Sequence, residues 1–119
     1  MRTRPSQSSS ARGADAERLV RRHYRLRGYT VLATNVRGGG GELDIVLRRG
    51  RRLVVCEVKA RAGSRFGDPL DAVGPDKERR VRRAAEAFLV RHPELAGLEL
   101  RLEVAAVRPG RIERVRLVS

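Results

Sequence analysis

Between residues 42 and 61 apolar and polar positions alternate, with one polar interruption in the middle. Leu43, Ile45 and Leu47 stand on one side, Asp44 and Val46 on the other. Past Arg49-Gly50-Arg51-Arg52, the run from Leu53 to Arg61 sets Glu57, Lys59 and Arg61 against Cys56, Val58 and Ala60. A period of two is that of a strand, so the segment predicts a hairpin of strands 42–48 and 53–61. Directly opposed residues of an antiparallel pair point to the same face. Asp44 therefore sits across from Glu57 only if the turn holds an even number of residues, two or four. A slip of one residue sends Asp44 to the opposite face.

Elsewhere the period is helical. Ala16, Leu19, Val20, His23 and Tyr24 predict a helix from Ala14 to about Arg27, stopped by Gly28. Val81, Ala84, Ala85, Phe88 and Leu89 form a stripe that predicts a second helix, from Pro75 or Asp76 to Arg91. His92-Pro93 ends it, and Arg79, Arg80, Arg82, Arg83 and Arg91 line its other side. Strands are expected at Tyr29–Asn35, Leu98–Val107 and Ile112–Val118, the last two joined by a turn at Pro109-Gly110. Arg37 and the four glycines after it read as a mobile loop able to approach a ligand closely. Residues 62–69 read as a loop and 69–73 as a short helical turn. Residues 1–13, rich in Ser and Arg, read as a disordered basic tail, with 14–119 a single domain. The order α-β-β-β-α-β-β predicts an α/β fold, a mixed sheet flanked by helices.

Composition narrows the function classes. The 119 residues suffice for one core, built from Val, Leu, Ile and Ala because Tyr24, Tyr29, Phe66 and Phe88 are the whole aromatic set. So few aromatics argue against a single-strand stacking platform. No apolar run approaches the about 18 residues of a membrane span, and the polar N-terminus lacks the apolar core of a secretory signal. Cys56 is the single cysteine, which excludes an intramolecular disulfide and fits a reducing compartment. These features together predict a cytoplasmic protein. The net charge of +13 favours polyanions, nucleic acid first among them.

Of the 27 basic residues, Lys59 and Lys77 alone are lysine. Arginine is a planar fork that stays charged, whereas lysine is a compact ammonium whose pKa falls on burial. Position 59 thus resists the drift toward arginine where a single point charge is wanted. Asp44 and Glu57 on one sheet face can chelate Mg²⁺ or Mn²⁺, with the Val58 backbone carbonyl as a third oxygen. Lys59 can then orient or deprotonate an attacking water. That is the outline of a metal-dependent nuclease site. The bland alternative is cross-strand pairing of Asp44 or Glu57 with Lys59 on a solvated face, and a bare D…ExK pattern is short enough to arise that way often. His23 and His92 have no partner at metal-ligand spacing and read as helix-face or capping residues. Cys56 reads as a core residue, and Glu42 as a solvated strand start or a secondary site residue.

Three segments carry a more specific signal. Gly41-Glu42-Leu43-Asp44-Ile45-Val46, Cys56-Glu57-Val58-Lys59-Ala60-Arg61 and Arg65-Phe66-Gly67-Asp68-Pro69, followed by Ala72-Val73 and Lys77, resemble the YraN family. That family is a set of small bacterial proteins predicted to be endonucleases. It is placed in the PD-(D/E)xK restriction-endonuclease-like superfamily, at a distance from archaeal Holliday junction resolvases. The resemblance spans about residues 13 to 118 with its motifs in order. It implies a restriction-endonuclease-like fold and an endonuclease acting with Mg²⁺ or Mn²⁺ on DNA rather than RNA, branched or structured DNA included. It implies further that Glu17 joins the site as a catalytic residue beside Lys59. Lys77 would meet the site or a phosphate, and Arg37, in Asn35-Val36-Arg37, matches the family's Asn-x-Arg. Arg61 and Arg80 complete the expected nucleic-acid contacts. By analogy with resolvases on two-fold junctions, a homodimer is expected. Ala60 stands where the family usually has Thr, and Glu103 where an aspartate is common. The competing expectation is a nucleic-acid-binding protein with a vestigial site and no catalysis; a third is a basic scaffold whose polar sheet face is only salt-bridged.

Overall fold

The computed structural model describes residues 7–60 and 74–117, with side chains described from residue 13 onward. Chain order is helix α1 (Gln7–Arg25), strands β1 (Thr30–Gly38), β2 (Gly41–Arg49) and β3 (Arg52–Ala60), helix α2 (Pro75–Arg91), a 3-10 turn (Pro93–Leu95), and strands β4 (Glu99–Arg108) and β5 (Arg111–Arg116). This is the expected α-β-β-β-α-β-β order. The strands form one sheet in sequence order. Neighbours are antiparallel except β3 and β4, which run parallel. A parallel pair needs a crossover, and α2 lies within it.

The two helices cover opposite faces of the sheet. Beneath α2, Val81, Ala84, Ala85 and Phe88 pack on Leu43, Val46, Leu53, Val55 and Leu102. Beneath α1, Val20 and Tyr24 pack with Tyr29 on Ile45, Leu47, Val54, Cys56 and Ala105. Burying a side chain such as Phe88 contributes about 1.5–3 kcal/mol. With a helix on each side, β3 is covered on both faces, and Leu53 to Glu57 are all buried. Cys56 is a core residue, as expected, and burial pushes its thiol up to about 12.

α2 spans the expected residues, with Pro75 in its first turn, where a missing N–H costs nothing. α1 begins at Gln7, so 7–13 are helical rather than part of a disordered tail; this stretch contains no proline to stop the helix extending outward. α1 ends where expected. Gly28, at φ +91°, follows the last turn, and the Tyr29 and Gly28 amides donate to the Tyr24 and Arg25 carbonyls, a Schellman closure.

The glycine run is a tight hairpin turn, not a loop. Gly38 pairs with Gly41, and Gly39 and Gly40 take φ of +60° and +81°. A Cβ on Gly39 would lie 2.7 Å from the Arg83 carbonyl oxygen, so this turn sits directly on the α2 backbone. The expected helical turn at 69–73 lies outside the described residues.

Candidate functional site

The β2–β3 hairpin meets its parity condition. Arg49 pairs with Arg52 across a two-residue turn of Gly50 and Arg51, and the ladder runs up to Ile45 opposite Cys56. One further step sets Asp44 opposite Glu57. There the ladder stops. β2 stays paired with β1 through Leu43, Glu42 and Gly41, and β3 stays paired with β4 through Ala60. The sheet therefore forks between β2 and β3, and Asp44 stands at the fork. Its Oδ2 accepts a 2.8 Å hydrogen bond from the Val58 amide, standing in for the missing ladder carbonyl.

Strict alternation fails at this point. Leu43 joins the cluster under α2 with Val46, and not the α1-side cluster of Ile45 and Leu47. On the neighbouring strand, Ala33 and Val36 both pack against the α2-side cluster, although they are three residues apart. Ala33 pairs with Val46 and Val36 with Leu43, so both strands change face at the same level. The residue at that level on β1 is Asn35, at φ +53° the one described non-glycine residue with positive φ. Asparagine tolerates the left-handed region better than most residues, and β-branched residues avoid it. The left-handed backbone at Asn35 thus lies at the level where Asp44 leaves the pleat.

β3 keeps its alternation. Cys56 and Val58 face α1, which leaves Glu57 and Lys59 toward α2. Glu57 is nearly buried, 4% exposed, and its Oε1 pairs with Lys77 Nζ in the first turn of α2 at 2.9 Å. Desolvation pushes Asp44 up from its ordinary 3.8 to about 6; the neighbouring Glu57 charge adds to this, the Val58 bond opposes it, and Glu17 and Glu42 add smaller repulsions. Burial and the nearby Lys77 hold the Lys59 ammonium below its ordinary value. Asp44 and Lys59 are thus both shifted by burial and by a like-charged neighbour, Glu57 for the acid and Lys77 for the lysine. Such perturbation is a mark of sites built for chemistry.

The remaining expected residues are distributed unevenly. Glu17, half-buried on α1, is close enough for its charge to act on Asp44. Arg37 and Arg80 are exposed near the glycine turn; the Arg37 carbonyl accepts from Arg91 Nη2 at 3.2 Å. Arg61 lies outside the described residues. In place of the bland alternative, a cross-strand pair with Lys59, the ion pair that Glu57 makes is with Lys77. The resemblance placed Lys77 at the site or on a phosphate; that its partner is Glu57 was not legible, because the pair spans a crossover.

A second buried acid was noted in the sequence only as a departure from the family pattern, with no role given to it. Glu103 of β4 is 3% exposed on the α1 side. Its Oε1 accepts from the Tyr24 hydroxyl at 2.6 Å and from Arg114 Nε at 3.2 Å, and the Arg114 guanidinium lies 4.6 Å over the Tyr24 ring. A charged residue within the apolar run Leu102 to Val107 was the one available hint.

A five-stranded mixed sheet between two helices, with two carboxylates and two lysines gathered where β2 and β3 part, defines a small α/β protein with a charged centre inside its sheet. The chain belongs to the uncharacterised protein family UPF0102, whose profile matches residues 16–107. A UPF0102 protein of Acidothermus cellulolyticus is 50% identical over 82 residues, covering 69% of this chain and 62% of the relative. One from Frankia alni is 40% identical over 114 residues, covering 92% and 94%. One from Paramagnetospirillum magneticum is 38% identical over 116 residues, covering 94% and 88%. No described helix is long and apolar enough to cross a membrane.

Proposed function

We propose that the protein is a metal-dependent endonuclease of the restriction-endonuclease-like superfamily, of YraN type, that cuts DNA, branched or structured DNA included. The observation that carries this reading is the fork: β2 and β3 part where Asp44 stands one step beyond the last ladder pair, its carboxylate on the Val58 amide between Glu57 and Lys59. The net charge of +13 supports a polyanionic substrate. A cytoplasmic location and a homodimer on two-fold junctions belong to the same proposal.

The donor set fits a hard divalent cation. Asp44 and Glu57 repel each other in a desolvated place, a cost that Mg²⁺ or Mn²⁺ would relieve. Among the described residues no group of three or more acidic, His or Cys side chains is spaced to hold a metal. Two carboxylates with the Val58 carbonyl match the sparse protein shell that Mg²⁺ accepts when phosphate oxygens and water complete it. When bound, the metal supplies charge stabilisation at the phosphate and the leaving oxygen. The chain's own part is then definable. Asp44 and Glu57 hold the cation; Lys59, its proton loosened at Nζ, orients the attacking water and takes part of the developing negative charge. Glu17 adds a carboxylate from α1. Lys77 holds Glu57 in place before substrate arrives, and Arg37, Arg61 and Arg80 contact phosphates.

One observation favours a second reading, a nucleic-acid-binding protein with a vestigial site: a lysine ammonium already occupies Glu57 Oε1. The two readings separate in one experiment. Duplex, flap and four-way DNA are incubated with Mg²⁺ or Mn²⁺ and wild type, Asp44→Ala or Glu57→Gln. The nuclease reading expects metal-dependent cleavage by wild type that both variants lose. Absence of cleavage on every substrate, or equal cleavage by Asp44→Ala, overturns it; salt-sensitive binding without metal dependence would then establish the second.

A further inference from the structure

On the sheet face covered by α1, the side opposite Glu57 and Lys77, a cavity of about 540 Å³ opens between α1 and the β4–β5 hairpin. Leu19, Val107 and Ile112 make its apolar surface, Arg27, Arg108 and Arg111 bring three guanidiniums, and none of the described residues that line it is acidic. Arg27 Nη1 donates to the His23 carbonyl at 2.9 Å, and Arg108 is held by Glu113 at 2.9 Å. A guanidinium has five N–H donors, so the Arg27 contact orients it and leaves donors for a ligand. His23 also lines the cavity. Its ring is set edge-on to Tyr24, and its Nε2 is cut off from solvent with no hydrogen-bond partner. Burial, reinforced by Arg27 and Arg114, keeps the imidazole below its ordinary pKa. At neutral pH it can therefore donate at one nitrogen and accept at the other.

A volume of this size is far larger than a phosphate ion needs and lies within the range of small-molecule sites. The apolar surface calls for a flat or apolar group, the guanidiniums for an oxyanion, and the imidazole for a polar edge. A nucleotide has all three. We propose that this cavity binds a nucleoside 5′-monophosphate, with its base against Leu19, Val107 and Ile112 and its phosphate on Arg27 and Arg111. The site lies apart from the Asp44–Glu57 centre and does not rest on the nuclease reading.

The test uses the full chain carrying Asp44→Ala, in the presence of a chelator, so that the centre and its metal contribute nothing. Adenosine 5′-monophosphate, adenosine and inorganic phosphate are titrated separately, followed by calorimetry and by the His23 ring resonances. Saturable binding of the monophosphate that perturbs the His23 ring is expected, with adenosine and phosphate each weaker by about tenfold or more. Arg111→Ala, in an exposed hairpin position, and His23→Ala are each expected to weaken it by about tenfold. No saturable binding overturns the proposal, as does an affinity unchanged in Arg111→Ala or in a folded Leu19→Glu variant. Either result leaves metal-dependent DNA cleavage by wild type to be judged on its own.

Discussion

The protein buries two glutamates to nearly the same depth, one on each side of its sheet, and they are treated in opposite ways. Glu103, beneath α1, takes bonds from a tyrosine hydroxyl and a guanidinium on a single oxygen. Glu57, beneath α2, has one lysine partner, and its charge adds to the desolvation that raises Asp44 to about 6. A buried charge is tolerated when paired and hydrogen-bonded, and that is the condition of Glu103. Around Glu57 the like charges are crowded instead of dispersed. Burial alone thus says little about role. What surrounds the buried acid separates an acid that holds the fold from one held ready for a ligand.

Removing each acid should break this comparison in different places. Glu103→Ala is expected to cost the most, roughly 3–5 kcal/mol, because it strands the Tyr24 hydroxyl and the Arg114 charge. Denaturant unfolding measures it, and a loss below about 1 kcal/mol would mean that Glu103 is not the anchor described. Cleavage, where detected, should survive this change at temperatures below the lowered melting point. Glu57→Gln should act the other way round: at least about a hundredfold loss of metal-dependent cleavage, with a small effect on unfolding.

Two smaller effects sharpen the account of the fork. Asn35→Val forces a β-branched residue into a left-handed backbone and should cost roughly 1–3 kcal/mol, whereas Asn35→Gly should fold normally. The Val58 amide, bonded to Asp44, reports the outcome directly. Faster hydrogen exchange there in the valine variant, with slow exchange kept at Cys56 and in the glycine variant, is the expected pattern. Equal protection in all three would show that Asn35 does not position Asp44.

The pH dependence has a definite sign. Asp44 binds its proton more tightly folded than unfolded, so its contribution to stability is complete below about pH 4 and is lost as pH rises through about 6. Asp44→Asn removes that loss. The variant should be more stable than wild type above pH 6, by roughly 1–2 kcal/mol after allowing for water around the half-buried carboxylate, and no more stable below pH 4. A variant less stable than wild type at pH 8 would contradict the crowding of charge at the fork.

Much of this was legible along the chain, for local reasons. The stripe from Val81 to Leu89 marked α2 because its period is intrinsic to the helix. The parity rule that sets Asp44 across from Glu57 depended on turn length alone, and the two-residue turn at Gly50-Arg51 obeyed it. The glycine run was misread because glycine signals conformational freedom and close approach equally. Which of these applied was decided by α2, whose backbone lies against Gly39.

By itself, the sequence determined the elements, their order, the hairpin register and the presence of two acids and a lysine on adjoining strands. These follow from periodicity and turn length, which act over a few residues. The tertiary structure alone decided that the sheet forks at Asp44, that Asn35 turns left-handed at that level, that Lys77 reaches Glu57, and that Glu103 is enclosed by Tyr24 and Arg114. The last two join residues from elements far apart in the chain, and pattern carries no distance across a crossover; the first two are breaks in alternation, which a regular period does not foresee. The charge of a carboxylate is written in the sequence; whether that charge is satisfied or left in tension depends on which neighbours the fold brings against it.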